Sequence, residues 1–489
     1  MSVPTALSAL SFIKNYGSES SLHIGVNTSP LFDIWTGNFI KNREGVWFLN
    51  GGVYPIMALA GGNNTQKTGK AVKDCAVILF RFKNSIIFYA DQESTLDIER
   101  FARMVDDLYG IPGYFREHIE NKRFFYMPSS EGVDGTAIHN RVREIHDGIM
   151  ALKNSKDKAE REAHDALMID TPFWSSKQNA YIKMYSPMVV VCDSISETKF
   201  DKLAFKQFDE GDMDSGGKKR TRDMEIGNLR RVLVEDTCYL GPRAGIMSYW
   251  IAQTGDKFSI DGKPVEKDTT FIRQNKKLSA PKAIMKLPHL GVEIIKGTVL
   301  KQPDGSPLFP SKDSGTLLDA KLNPDLVEYH TSIFRNKMGA STTSSVSFIG
   351  SQRTGIDDNL SMYYILRSAG YYGLPGNPAT HRCALLPETV IRRTTINDQL
   401  KTDKKLARAI GIIYQLWYIQ SFWSNIPDGF RITPEELYQV VKDQGHDWNE
   451  ILDSIDFWHD NDEFIKQPTL ALYELLEIAV NKKPIYWKK

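Results

Sequence analysis

The stretch AVILFRFKNSIIFYADQ, residues 76–92, limits what this chain can become more than any other. Two runs of β-branched and aromatic residues flank Lys83-Asn84, and runs separated by a short polar pair read as a strand hairpin. VWFLNGGVYPIMALAGG repeats the arrangement around Gly51-Gly52. PMVVVCDS, residues 187–194, reads as a buried strand that leaves into a loop. Strands therefore dominate the beginning of the chain.

Helical spacing takes over elsewhere. Ile98, Phe101, Val105 and Leu108 share one face of a helix that starts near Ser94, with Ser94 and Asp97 as a capping box and Gly110 and Pro112 as its stop. Residues 136–168 form a long polar helical stretch with charges of both signs. NPDLVEYHTSIFRNKM and DDNLSMYYILRSAG read as helices, as do several segments from Pro387 onward. One helix starts from Thr402 or Asp403 and carries Leu406, Ile410, Ile413, Tyr414 and Trp417 at a spacing suited to burial. The expected class is α+β: a strand-rich N-terminal part (1–195), a basic middle region with short strands and loops (196–315), and a mainly helical C-terminal part (316–489). KQPDGSPLFPSKDSG, residues 301–315, is the expected linker or exposed arm.

With 489 residues and a net charge of +1, the chain is long enough for a large core and is not globally basic. Cys75, Cys192, Cys238 and Cys383 form no CxxC pair and point to a reducing, intracellular setting, cytoplasmic or nuclear. The longest apolar run, GIIYQLWYIQSFW, is too short to cross a bilayer, and the first residues lack the pattern of a secretory signal. A soluble protein with no membrane partner is expected.

Near-zero net charge conceals local clusters. GGKKRTRDMEIGNLRR places Lys218, Lys219, Arg220, Arg222, Arg230 and Arg231 within residues 216–231. A second segment holds Arg273, Lys276, Lys277, Lys282 and Lys286, and a third holds Arg382, Arg392, Arg393, Lys401, Lys404, Lys405 and Arg408. Arg353 follows a run of hydroxyl residues, STTSSVSFIGSQRTG. Clustered cations bind polyanions because each neutralised phosphate releases condensed counterions. KDQGHDWNEILDSIDFWHDNDEF supplies the opposite sign, suited to pairing with a basic patch on another copy.

Catalytic patterns are weak. GGNNTQKTGKA, aligned on Gly69-Lys70, departs twice from the GxxxxGK[ST] phosphate loop: Asn64 stands at the first glycine and Ala71 at the hydroxyl. It reads as a polar connection between strands. His139, His146 and His164 lack a zinc spacing. Asp193 and Asp357-Asp358 are explained by turns and helix caps. No motif predicts a cofactor or metal. These observations favour an oligomer-forming protein that binds single-stranded RNA through its phosphates, such as a nucleoprotein or capsid-like subunit of viral type. The alternatives are an enzyme with a divergent site acting on nucleotides or nucleic acid, and a protein-only assembly scaffold.

Overall fold

The computed structural model describes residues 24–483 other than 37, 42, 44, 46, 177, 201–215, 257–275, 312–324, 340–345, 424, 425 and 428; for 41, 216–223, 256 and 296 only the backbone is described. Its centre is a ten-stranded mixed sheet. The elements that build the sheet and its cover are β1 (Ile56–Gly61), α1 (Lys67–Arg81), β2 (Ile86–Asp91), α2 (Ile98–Tyr109), β3 (Phe124–Pro128), α3 (Gly135–Asn154), β4 (Met188–Asp193), α4 (Gly216–Leu240), β5 (Ile246–Asp256), β6 (Lys276–Leu278), β7 (Leu290–Val299), β8 (Val327–Asn336), β9 (Ser347–Ser351), β10 (Gly355–Asp357), α5 (Asp358–Ser368) and α6 (Lys404–Phe422). The strand order is β10-β9-β8-β7-β1-β5-β4-β2-β3, with β6 paired to β5. The run from β7 to β3 is parallel throughout, whereas β8, β9, β10 and β6 are antiparallel additions. Helices and strands combine as the sequence predicts for α+β, and the sheet draws strands from all three sequence regions.

Side chains alternate between the two faces of a strand, and here both faces are covered. Met57, Leu59, Val189, Val191, Tyr249 and Ile251 join one core with α1, α5 and α6. Ile56, Ala58, Ala60, Val190, Cys192 and Trp250 join a second with α3 and α4. Burial on both sides explains why these strands read as continuous apolar runs rather than alternating ones.

The same burial corrects the hairpin expectations. Residues 76–81 belong to α1, not to a strand, and β2 runs parallel to β3 and β4. A short apolar run does not by its period separate a buried strand from a buried helix, and the fifteen-residue length of α1 decides it. Trp47–Leu49 pairs with Phe39–Lys41, so Gly51-Gly52 is no hairpin turn. Those glycines let the backbones of Asp33 and Val26 pass closely: a Cβ on Gly52 would stand 2.0 Å from the Val26 carbonyl oxygen.

Three helix expectations are also corrected. VEYHTSIFRN forms β8, antiparallel to β7, because its side chains alternate between buried and less buried positions. The polar stretch splits at Ser155 into α3 and Lys158–Asp165, each with its own aspartate cap. Asp97, not Ser94, caps α2, accepting from the Arg100 amide at 3.1 Å. In contrast, α6 matches its expectation: Asp403 caps it by accepting from the Leu406 amide at 2.9 Å, and Leu406 to Leu416 is mostly buried. Among the described residues no helix is long and apolar enough to cross a membrane.

Candidate functional site

Parallel strands leave their carboxyl ends on one side of a sheet, and loops there converge. Register places Gly61, the tip of β1, opposite Gln253 and Ile294 within β5 and β7, and Asp91 opposite Asp193 at the tips of β2 and β4, so three strand tips lie along one edge. β1 enters the loop 62–66, in which Asn64 and Gln66 have positive φ, and the chain then turns directly into α1. Gly61 has no room for a side chain: a Cβ would lie 2.5 Å from the Ile294 carbonyl oxygen and 2.6 Å from Thr65 Oγ1.

Strand, glycine-led loop and helix restore the phosphate-loop pattern in a register three residues earlier than the Gly69-Lys70 alignment. Gly61 takes the first glycine position and Lys67-Thr68 the lysine–hydroxyl pair; only Gln66 departs, at the second glycine. The connection between strands is therefore a glycine-led loop followed by a crossover helix, not a plain polar link. Lys70 is structural instead. Its ammonium lies 2.6 Å from both Asp74 oxygens, and the Tyr249 hydroxyl donates to Asp74 at 2.9 Å.

Lys67 is buried, and its ammonium donates to the Gly62 carbonyl at 2.5 Å. Burial lowers its pKa, while Asp193 and Glu93 nearby favour the charged form. Thr68 Oγ1 donates to Asp193 Oδ2 at 2.7 Å, and the Tyr89 hydroxyl donates to the same oxygen at 2.9 Å. Burial pushes the Asp193 carboxyl up to about 6, against these two hydrogen bonds. Glu93 lies just beyond β2 and is exposed; its Oε1 accepts from Ser194 Oγ at 2.7 Å and from Gln253 Nε2 at 2.8 Å. A glycine-led loop, a hydroxyl–carboxylate pair and a carboxylate held by Ser194 and Gln253 thus share one edge.

Thr68 and Asp193 fit a magnesium ion by donor type: a hydroxyl and a carboxylate oxygen, both hard ligands, side by side. Magnesium is commonly bound by one or two protein oxygens together with substrate phosphates rather than by a full protein cage. Among the described residues no group of three or more His, Cys, Asp or Glu is arranged to hold a metal. His139 instead contacts Asp236, and His164 contacts Asp165 and Tyr185.

A cavity of about 850 Å³ lies elsewhere, lined by Lys73, Arg353, Asp357, Asp358 and Lys401 among others, and by none of residues 61–68. Asp357 caps α5 and Asp358 pairs with Lys73 at 2.6 Å, so of the three aspartates weighed in the sequence only Asp193 joins the strand-tip cluster.

The basic residues fare differently. Lys218, Lys219, Arg220 and Arg222 lie on the first turns of α4, their side chains outside the described set, and Arg273 lies outside the described residues. Arg230 donates to the Thr198 carbonyl at 2.9 Å, tying α4 to the segment after Asp193. Arg231 pairs with Glu235 at 2.6 Å, and Arg353 reaches Asp325 at 3.7 Å. Lys276 and Lys277 stand on β6, paired with the far end of β5. Arg382 and Arg393 donate to carbonyls of Pro387 and Leu308 at 2.8 and 2.7 Å, and Arg392 and Lys404 are exposed. Lys405 pairs with Asp453 at 3.2 Å and Arg408 with Asp456 at 3.4 Å, so part of the acidic segment meets basic side chains of its own chain.

Sequence reasoning missed Lys67, Thr68 and Glu93. Gly61 followed by Lys67-Thr68, with an apolar run ending in Asp193, was the available signal for the first two. Glu93 had none. No protein-family model matches the chain, and no curated protein is similar to it, so the geometry alone carries the reading of the site.

Proposed function

We propose that the chain binds a nucleoside triphosphate, with magnesium, on the β1–α1 loop and hydrolyses its terminal phosphoryl group. The observation that carries this is the hydrogen bond of Thr68 to Asp193, with Glu93 held beside them. Loop amides and the amino end of α1 attract the phosphates, and Lys67 exchanges its carbonyl partner for the terminal phosphate oxygens. Thr68 and Asp193 would hold magnesium, which when bound would neutralise the phosphate charge. Glu93 orients a water and accepts its proton as the water oxygen bonds to the terminal phosphorus. The bond from that phosphorus to the bridging oxygen breaks, leaving a nucleoside diphosphate and phosphate. Ser194 and Gln253 fix the carboxylate for this step.

The nucleic-acid reading joins this one through a single observation. Gln253, which holds Glu93, lies on β5, and β5 runs on to pair with β6, the carrier of Lys276 and Lys277. A single-stranded RNA or related polyanion bound there would bear on the proposed base, which supports hydrolysis stimulated by the polymer.

The test measures triphosphate binding and phosphate release with magnesium, with and without single-stranded RNA. Glu93→Gln is expected to keep binding and lose hydrolysis by about a hundredfold or more. Wild-type protein that binds no triphosphate at millimolar concentration would end the reading.

A further inference from the structure

Gln66 occupies the one loop position that departs from the phosphate-loop pattern. Its backbone is left-handed, with φ 62° and ψ 21°, a conformation that glycine adopts without cost and that glutamine disfavours. A residue with a side chain is held there by what that side chain does. Gln66 is buried, and its Nε2 donates to the main-chain oxygen of Ser351 at 3.1 Å, across 285 positions of sequence. Ser351 ends β9, at the antiparallel margin of the sheet, and its hydroxyl organises the β9–β10 turn. Ser351 Oγ accepts from the Arg353 amide at 3.0 Å, the Thr354 amide at 2.9 Å and the Thr354 hydroxyl at 3.2 Å. Gln352, Arg353 and Thr354 are exposed. The loop and an exposed, cation-bearing turn thus share one residue pair.

We propose that Gln66 is a positioning residue: it ties the phosphate loop to the β9–β10 turn through Ser351, so that the turn sets how well the loop amides are arranged for phosphate. The inference rests on the nucleotide reading above for its functional meaning. The tether itself does not depend on that reading. Gln66 touches no reacting atom, so its loss acts on binding and leaves the chemical step alone. Order in the empty loop lowers the entropy that a ligand must remove, which is where an anchored loop gains affinity.

Two variants separate the tether from the fold. Gln66→Gly fits the positive φ and removes the side chain; Gln66→Asn tolerates the positive φ and is too short to reach Ser351. With a magnesium–triphosphate probe, both are expected to raise KM and Kd about tenfold with kcat within about twofold of wild type. Hydrogen exchange at the amides of residues 62–69 is expected to quicken in the nucleotide-free variants. Ser351→Ala is expected to weaken binding in the wild-type background and to add nothing to Gln66→Gly, since contacts in one chain of interactions are not additive. Wild-type affinity and wild-type loop exchange in both Gln66 variants would overturn the inference. If wild-type protein binds no triphosphate, the nucleotide reading fails, and unchanged loop exchange in Gln66→Gly then removes the tether as well.

Discussion

Thr68 and Asp193 stand 125 residues apart in sequence, and their side chains meet at 2.7 Å. The first turn of α1 brings one and the tip of β4 the other, and parallel pairing through β5 lets the two tips reach the same edge. Burying Asp193 raises its pKa and disfavours its charge, and the Thr68 and Tyr89 hydroxyls oppose that shift by donating to it.

Lys67 and Lys70 should behave oppositely although they lie on the same turn of one helix. Lys67→Ala is expected to abolish triphosphate binding while the denaturation midpoint stays near wild type. Lys70→Ala leaves Asp74 buried without its cation, and loss of one partner of a buried pair costs about 3–5 kcal/mol. Binding titrations and urea unfolding on both variants check this, and the reverse pattern would restore the Gly69-Lys70 register.

Arg408 and Lys404 make the same contrast within the third basic segment. Arg408 is held by Asp456 and by the Leu470 carbonyl at 2.6 Å, whereas Lys404 projects into solvent. Arg408→Ala is expected to cost about 3 kcal/mol of stability, and Lys404→Ala less than about 0.5. Unfolding curves decide it. Weaker RNA binding on replacing Arg408 would need a stability control before it counted as a phosphate contact.

Asp33 should make stability depend on pH. Burial raises its carboxyl from 3.8 to about 7, opposed by Arg81, by the Thr28 and Ser29 amides, and by Lys70. Between those values the folded chain keeps a proton that the unfolded chain releases, so this group's contribution falls as pH rises from about 4 to about 7. Arg81 stays charged across that range, its own pKa lowered by burial to about 10. Asp33→Asn retains an acceptor for the two amides and is expected to flatten the decline. Urea midpoints at pH 5 and pH 8 test it, and parallel profiles for variant and wild type would refute it.

Residues with local rules were legible. Asp403 caps α6 because a short acid before an apolar period satisfies a free amide, and Gly411 to Ile419 of GIIYQLWYIQSFW is buried apart from Trp417 because a run that apolar has no other stable place in water. Glu93 was not legible: its partners Ser194 and Gln253 lie 101 and 160 residues away. Nothing in ADQES distinguishes it from a turn carboxylate. Gln66 broke the loop pattern for a similar reason, since its partner, the Ser351 carbonyl, lies 285 residues away.

The amino-acid order alone therefore determined which segments are apolar enough to be buried, where several helices begin, and that α and β elements would coexist, because these follow from spacing and capping within a few residues. Tertiary structure decided that the early strands run parallel, that Lys67 rather than Lys70 faces the strand tips, and which cations are spent on the chain's own acids and carbonyls. Those outcomes depend on which distant segments become neighbours. Pairing between strands is set by the burial of both sheet faces at once, a condition that no local window of sequence contains.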